Sequence, residues 1–184
     1  MTEPSDYAGP FNPDFSHEKY NKETLVRLLK TYGEYIFRID ALWYLAVMDK
    51  WGNDEAFACD VKVWEKALVY ELKAVSEAHN IHGDDVATVM KFFQCSPWMW
   101  NYDYTIDLKN DDYAILTFHT CPLLLSLEKE GSGRERLICQ EFEPNTKRRI
   151  AHYFNPNIRV TGLKVPPRTD YNDCCCQWEY KLER

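Results

Sequence analysis

Cys121 is the residue of this sequence best placed to act as a nucleophile. It lies in the segment FHTCPLL, where a predicted strand ends at Thr120 and Pro122 suits the first turn of a helix. At the N-cap of that helix, unpaired backbone N–H groups and the helix dipole would favour a thiolate and lower the pKa of Cys121. His119 is predicted on the same strand face as Cys121, where it could serve as a base or a second ligand. A capping cysteine beside an ordinary histidine is the alternative interpretation.

Three consecutive cysteines lie near the end of the sequence, in DCCCQWEYKL. The alternation of polar and bulky residues predicts a strand in which Cys174 and Cys176 share the buried face with Trp178. Cys175 is then predicted to face solvent or a sheet edge and to be the most exposed of the three. Cysteine is often buried, so the simplest interpretation of the inward pair is core packing. Cys139, in the apolar stretch LICQEF, has the same simple interpretation.

A metal site is a second interpretation of the cysteines. The sequence has no C-x-x-C spacing, so a standard zinc knuckle is not expected. The predicted same-face pairs, His119 with Cys121 and Cys174 with Cys176, would need to lie on neighbouring strands to make a tetrahedral site. Cys139 could replace one of these ligands. The candidate ligands of a zinc or iron ion are Cys121, Cys139, Cys176 and His119.

Asp40 interrupts the apolar pattern of the first predicted helix, where it falls beside Ile36, Ile39 and Trp43. A carboxylate next to an apolar stripe is costly unless it is paired. Asp40 therefore either bonds a cation such as Arg38 or faces a pocket.

Hydrophobic periodicity places these residues on helices and strands. The predicted helices cover residues 22–50, 54–79, 84–95, 122–130 and 144–154. The predicted strands cover residues 98–108, 113–120, 157–165 and 174–182. The segment 135–142 is ambiguous. This order predicts one α+β domain over residues 21–184, with long N-terminal helices packed on one face of an antiparallel sheet of about four strands. Residues 1–20 are predicted to form an irregular arm.

Composition excludes several classes of protein. The net charge is −7 and the 22 Lys and Arg residues are scattered, which disfavours a nucleic-acid partner. No stretch approaches the roughly 20 apolar residues of a membrane span. The N-terminal segment has no basic and apolar signal pattern, so we expect a cytoplasmic protein with reduced thiols. The seven cysteines could not all pair in any case. The expected partner is a small-molecule ligand or substrate, and a homodimer is allowed.

With these residues in place, the chain resembles a family of small, mostly uncharacterised proteins of anaerobic microbes labelled L-2-amino-thiazoline-4-carboxylic acid hydrolase-like. The resemblance covers about residues 35–183. The matching features are IDALWYLAV, the Cys-Pro of TCPLL, Cys139, FNPNIRV, Pro166-Pro167 and CQWEYKL. The residues that this resemblance singles out are Asp40, Trp43, Cys121, Cys139, Cys176 and Trp178.

The resemblance implies a hydrolase that opens a small cyclic amidine or thiazoline. Cys121 is then the nucleophile or a thiolate that orients water, His119 the proton shuttle, and Asp40 the third catalytic residue. We predict that the thiols of Cys121, Cys139 and Cys176 converge in one pocket beneath the helix that carries Asp40. Cys174 is predicted at the margin of this pocket, and Trp43 and Trp178 are predicted in its wall.

The alternative is a non-enzymatic binding or sensor module. In that case the cysteines hold a metal, or an aromatic pocket holds a small ligand. The predicted arrangement of helices and sheet also resembles the 4-vinyl-reductase type of ligand-binding domain, which implies small or hydrophobic ligands.

Overall fold

Capping residues set the ends of the long helices in the computed structural model of the protein, which describes residues 6–183. The helix α1 begins after Asn21, whose side chain accepts a hydrogen bond from the Thr24 N–H at 2.8 Å. It ends at Gly52, where the backbone has φ of 89°. The next long helix ends at Asn80 in the left-handed conformation. These caps are local in sequence, and the three N-terminal helices were therefore predicted to within about two residues.

The described residues form six α-helices and four strands. The helices are α1 (Lys22–Trp51), α2 (Asn53–His79), α3 (Val86–Cys95), α4 (Pro122–Glu130), α5 (Arg134–Arg136) and α6 (Glu143–Phe154). The strands are β1 (Asp103–Asn110), β2 (Tyr113–Thr120), β3 (Ile158–Lys164) and β4 (Cys176–Leu182). Residues 6–20 are irregular except for one 3-10 turn at His17–Lys19. The predicted arm also includes residues 1–5, which lie outside the described residues.

The four strands form one open antiparallel sheet in the order β1-β2-β4-β3. Its inner face is apolar, because alternate residues of β2 and β4 are buried there. These residues are Ala114, Leu116, Phe118, Trp178 and Tyr180. They pack against α3, α4 and α6 in a single core. The predicted α+β class, with long N-terminal helices and a four-stranded antiparallel sheet, is confirmed.

The first predicted strand is partly wrong. Residues Pro97–Asn101 form a 3-10 helix, and β1 begins only at Asp103. Ser96 caps this turn by accepting the Trp98 N–H at 3.3 Å, and Pro97 occupies its first position. The cap and the proline outweigh the alternation of aromatic residues, which predicted an extended chain.

The ambiguous segment 135–142 is helical. Between α5 and α6, residues Leu137–Phe142 form a π-helix, so the chain is helical from Arg134 to Phe154. Such a turn contains an extra residue and is often found at functional sites.

The side of α1 that packs against the rest of the molecule is not the side with most of its large apolar residues. Gly33, Phe37 and Tyr44 lie inward, and α1 packs on the 3-10 helix so closely that a Cβ at Gly33 would lie 2.7 Å from the Pro97 carbonyl oxygen. The residues left exposed on its other side are Leu29, Tyr32, Tyr35, Ile36, Ile39, Leu42 and Trp43, here called the α1 stripe. Within residues 6–183, no helix combines the length and apolar character needed to cross a bilayer.

Candidate functional site

A cavity of about 380 Å³ lies beneath α1. Its walls come from α1, α2, α3, the 3-10 helix, α4, the helical segment 134–154 and the neighbouring ends of β2 and β4. The volume is in the range of small-molecule pockets, and most of the lining is apolar. The aromatic residues in the wall are Phe37, Tyr44, Trp64, Phe92, Phe93, Trp98, Tyr102, Phe118, Phe142 and Trp178.

The three predicted thiols line this one cavity. Cys121 comes from the start of α4, Cys139 from the π-helix and Cys176 from the start of β4. Burial raises the pKa of each thiol, to about 12 for Cys121 and about 11 for Cys176, and well above the ordinary value for Cys139. The structure therefore brings the three sulfurs to one space as neutral thiols.

The predicted activation of Cys121 is wrong in its direction. The residue does cap α4, and its Sγ accepts the Leu124 N–H at 3.4 Å, which favours the charged form. Burial outweighs this hydrogen bond, and the pKa rises instead of falling. Since the thiolate is the reactive form of cysteine, this environment does not supply the activation of Cys121 that the helix N-cap predicted.

His119 does not share a face with Cys121. Alternation along β2 buries Phe118 and directs His119 outward, where its Nε2 lies 3.0 Å from Thr105 Oγ1 on β1. The strand ends at Thr120, so the alternation does not continue to Cys121. His119 is exposed and does not line the cavity. The predicted roles of His119 as proton shuttle and metal ligand are therefore corrected.

Two of the terminal cysteines, Cys174 and Cys175, differ from the prediction. Cys175 is the most buried of the three, at 2% exposure, and it lines the cavity. Its N–H donates to the Phe118 carbonyl at 2.8 Å, and its Sγ donates to the His119 carbonyl at 3.3 Å. Strand β4 begins only at Cys176, so alternation does not apply to the two preceding residues. Cys174 lies beside Asp173, outside the cavity wall.

The predicted zinc or iron ligands do not fit a metal ion. Among residues 6–183, no three His, Cys, Asp or Glu side chains are grouped so that they could hold one. His119, one of the four predicted ligands, is exposed beside Thr105 and does not line the cavity that the three thiols share.

Asp40 lies in the cavity wall, and Trp43 does not. Burial raises the pKa of Asp40, and the Trp64 side chain partly opposes this by stabilising the carboxylate. Trp43 is one helical step away, on the α1 stripe, because α1 directs Phe37, Asp40 and Tyr44 inward. The predicted place of Trp43 in the ligand pocket is thus wrong, whereas Trp178 lies in the wall as predicted.

Asp60, on α2, is a cavity residue that the sequence interpretation missed. Its pKa is raised to about 7, first by burial and then by the negative charges of Asp40 and Glu143. Its Oδ1 is buried and has no hydrogen-bond partner among the described residues. A signal was present in the sequence, because Asp60 lies in a four-residue series with the buried Ala56 and Leu68.

Lys147 and Glu143, on α6, were also missed. The two side chains form an ion pair, and Lys147 is buried while lining the cavity. Burial opposes the charge of Lys147, but the pKa of the ammonium is raised overall, with the charge and hydrogen bond of Glu143 among the causes. The signal was the position of Lys147 on the same helix face as Ile150 and Ala151, which are buried.

The cations in the wall are already paired. Lys147 has Glu143, and Arg134 Nε donates to Glu130 Oε1 at 2.9 Å. No Lys or Arg of residues 6–183 forms an ion pair with Asp40 or Asp60. The cavity therefore holds two coupled carboxyl groups without a cationic partner from the described part of the chain.

A family model described as a family of unknown function, DUF6125, matches residues 18–182. The chain belongs to this family. The DUF6125 match includes every residue that lines the cavity, from Phe37 to Trp178. No curated protein and no solved structure matches the chain.

Proposed function

We propose that this DUF6125 protein binds a small, flat molecule with a protonated nitrogen group in the cavity and hydrolyses it. The proposed substrate class is a small cyclic amidine or thiazoline. One observation carries the proposal: Asp40 and Asp60 lie together, without a cationic partner, in a cavity walled by aromatic rings.

The two carboxyl groups are suited to an amidinium. A planar cation with several N–H donors forms strong, charge-assisted hydrogen bonds with carboxylates. Trp64, Phe37 and Trp98 supply ring surfaces in the same wall, and a cation over such a ring gains further attraction. The volume of about 380 Å³ suits a molecule of one or two rings.

Asp60 is the proposed proton-transfer group. A pKa of about 7 leaves it able both to accept and to donate a proton at neutral pH. Water attacks the sp² ring carbon between the ring heteroatoms, and its proton passes to the Asp60 carboxylate as the new C–O bond forms. The ring bond from this carbon to nitrogen or sulfur then breaks, and Asp60 returns the proton to the leaving atom. The net reaction adds one water molecule to the substrate.

The thiols have a different role in this proposal from the one predicted from the sequence. With raised pKa values, Cys121, Cys139 and Cys176 remain protonated and form a polarisable wall around the substrate. Asp40 keeps the pKa of Asp60 high through its charge and provides the second contact with the cation.

Turnover of 2-amino-2-thiazoline, followed by proton NMR, tests the hydrolase. We expect ring opening by the wild-type protein, and a loss of about 100-fold or more in Asp60→Asn. Cys121→Ser should stay within a few-fold of wild type. Asp49→Asn, an exposed carboxylate of the same net charge on α1, is the matched control. Loss of turnover in Cys121→Ser with normal turnover in Asp60→Asn would assign the chemistry to the thiol instead.

A non-enzymatic ligand-binding module is the second candidate, favoured by the neutral state of the cavity thiols. It uses the same cavity and the same carboxyl groups. Quenching of the fluorescence of Trp64, Trp98 and Trp178 by the thiazoline, with no product after prolonged incubation, would support binding without turnover.

A further inference from the structure

The α1 stripe is the largest unexplained feature outside the cavity. Its seven large side chains are each between 37% and 62% exposed. They lie on one continuous side of a 30-residue helix, whose other side packs on α2 and the 3-10 helix. Isolated exposed apolar residues are common, but a continuous row of this length usually marks an interaction surface.

The spacing of the stripe is that of a helix-pairing seam. Leu29, Tyr32, Ile36, Ile39 and Trp43 follow steps of three, four, three and four residues. This alternation is the heptad pattern in which one helix packs against another along its length. Tyr35 and Leu42 widen the seam on one side.

The exposed area matches what a dimer needs. With about 150–250 Å² for an aromatic side chain and somewhat less for Leu or Ile, the stripe exposes roughly 600 Å² of apolar surface. Two copies packed through it would bury about 1,200 Å² in total, which is the lower end of stable protein interfaces.

The charges of α1 favour a protein partner over a membrane surface. A helix that lies on a bilayer usually has a polar face rich in Lys and Arg. The polar side of α1 is mixed, with Arg27, Lys30 and Arg38 alternating with Glu23 and Glu34. The whole chain has a net charge of −7, which would also be repelled by anionic lipids.

We propose that two copies of this chain associate through their α1 stripes, by a two-fold contact in which α1 of one copy packs along α1 of the other. The same surface then serves both partners, as in most homodimers. Because Phe37 and Tyr44 lie on the inward side of the same helix, the contact lies behind the cavity wall and holds α1 in place over it.

The mass of the full chain in solution tests this proposal. Sedimentation equilibrium of the wild-type protein should give twice the chain mass of 21.8 kDa at micromolar concentration. Ile39→Glu and Leu42→Glu, each made separately, should weaken the dimer by at least about tenfold in Kd. Leu163→Glu, at an exposed apolar position of β3, should remain dimeric.

The mass of the wild-type protein tests the proposal even if a variant folds poorly. A wild-type monomer at about 100 μM overturns the proposal, as does a dimer that survives both folded α1 variants. Circular dichroism shows which variants are folded. A monomer that co-sediments with vesicles of phosphatidylcholine and phosphatidylglycerol would also overturn it, in favour of a lipid surface.

Discussion

The ammonium nitrogen of Lys147 lies 4.7 Å from the centre of the Trp178 ring, within the wall of the cavity. It also lies 5.5 Å from the centre of the Phe118 ring, and Glu143 balances its charge. Both rings belong to the buried face of the sheet. A cation is thus held between α6 and the sheet by ring faces on one side and a carboxylate on the other.

Removal of this cation should destabilise the protein. Lys147→Met leaves Glu143 partly buried and unpaired, so the free energy of unfolding should fall by about 3–5 kcal/mol. Urea denaturation followed by circular dichroism measures the change. The double variant Lys147→Met/Glu143→Gln should recover most of the loss, because it leaves no unpaired charge. Equal losses in the single and double variants would contradict the role of the ion pair.

Ligand affinity should depend on pH through Asp60. A cationic ligand needs the carboxylate, and the pKa of Asp60 is about 7. The affinity for a thiazolinium should therefore rise about tenfold for each pH unit well below 7 and level off above it. Titrations of the tryptophan fluorescence between pH 5.5 and 8.5 test this, with a probe that stays protonated in that range. Asp60→Asn should bind weakly and show no such slope, and an equal slope in this variant would assign the titration to another group.

The Asp60 carboxyl group should also make the contribution of this residue to the stability of the folded protein larger at acidic pH than at neutral pH. Folding raises the pKa of Asp60, so its contribution to stability is fully present below about pH 4 and is lost as the pH rises towards 7. Asp60→Asn removes this dependence. At pH 8 we expect the variant to be more stable by about 1–2 kcal/mol, a value reduced from the full pKa shift because the group is partly solvated. Denaturation at pH 3.5 should show no difference, and a variant less stable at pH 8 would contradict the account.

The cavity thiols should react slowly with iodoacetamide at pH 7. Burial raises the pKa of Cys121 and Cys176 to about 12 and 11, so almost none of the reactive thiolate is present. Peptide mass spectrometry should find both labelled orders of magnitude more slowly in the native protein than in urea. Selective, rapid labelling of Cys121 in the native protein would restore it as the candidate nucleophile.

Local sequence signals predicted the helices, and they did not predict what each helix packs against. Asn21 caps the start of α1 and Asn80 caps the end of α2, and both lie next to the helices that they bound. Periodicity together with such local signals therefore placed α1 and α2 well. The periodicity of α1 shows an amphipathic helix but does not indicate which of its apolar sides faces its own molecule. The family resemblance assigned Trp43 to the pocket, and periodicity could not correct this, although the inward side carries Phe37 and Tyr44.

The candidate site was only partly predictable. Strand alternation and the family resemblance predicted that Cys121, Cys139 and Cys176 share one pocket. The three residues line one cavity. The carboxyl group of Asp60 was missed because its pKa depends on burial and then on the charge of Asp40, and both arise only when the chain folds. Cys175 was misplaced because the exact start of a strand decides the direction of a side chain.

The π-helix at Leu137–Phe142 determines the direction in which the side chains of α6 point around the helix axis. One residue of an ordinary α-helix corresponds to about 100° of rotation around its axis, so the extra residue of this turn determines where Lys147 points. A protein without that residue would keep a straight helix of almost the same length, but its Lys147 equivalent would lie on a different side of it. The wide turn therefore fixes the rotation of the Glu143–Lys147 pair relative to Arg134, the cavity residue that precedes it on the same helical segment.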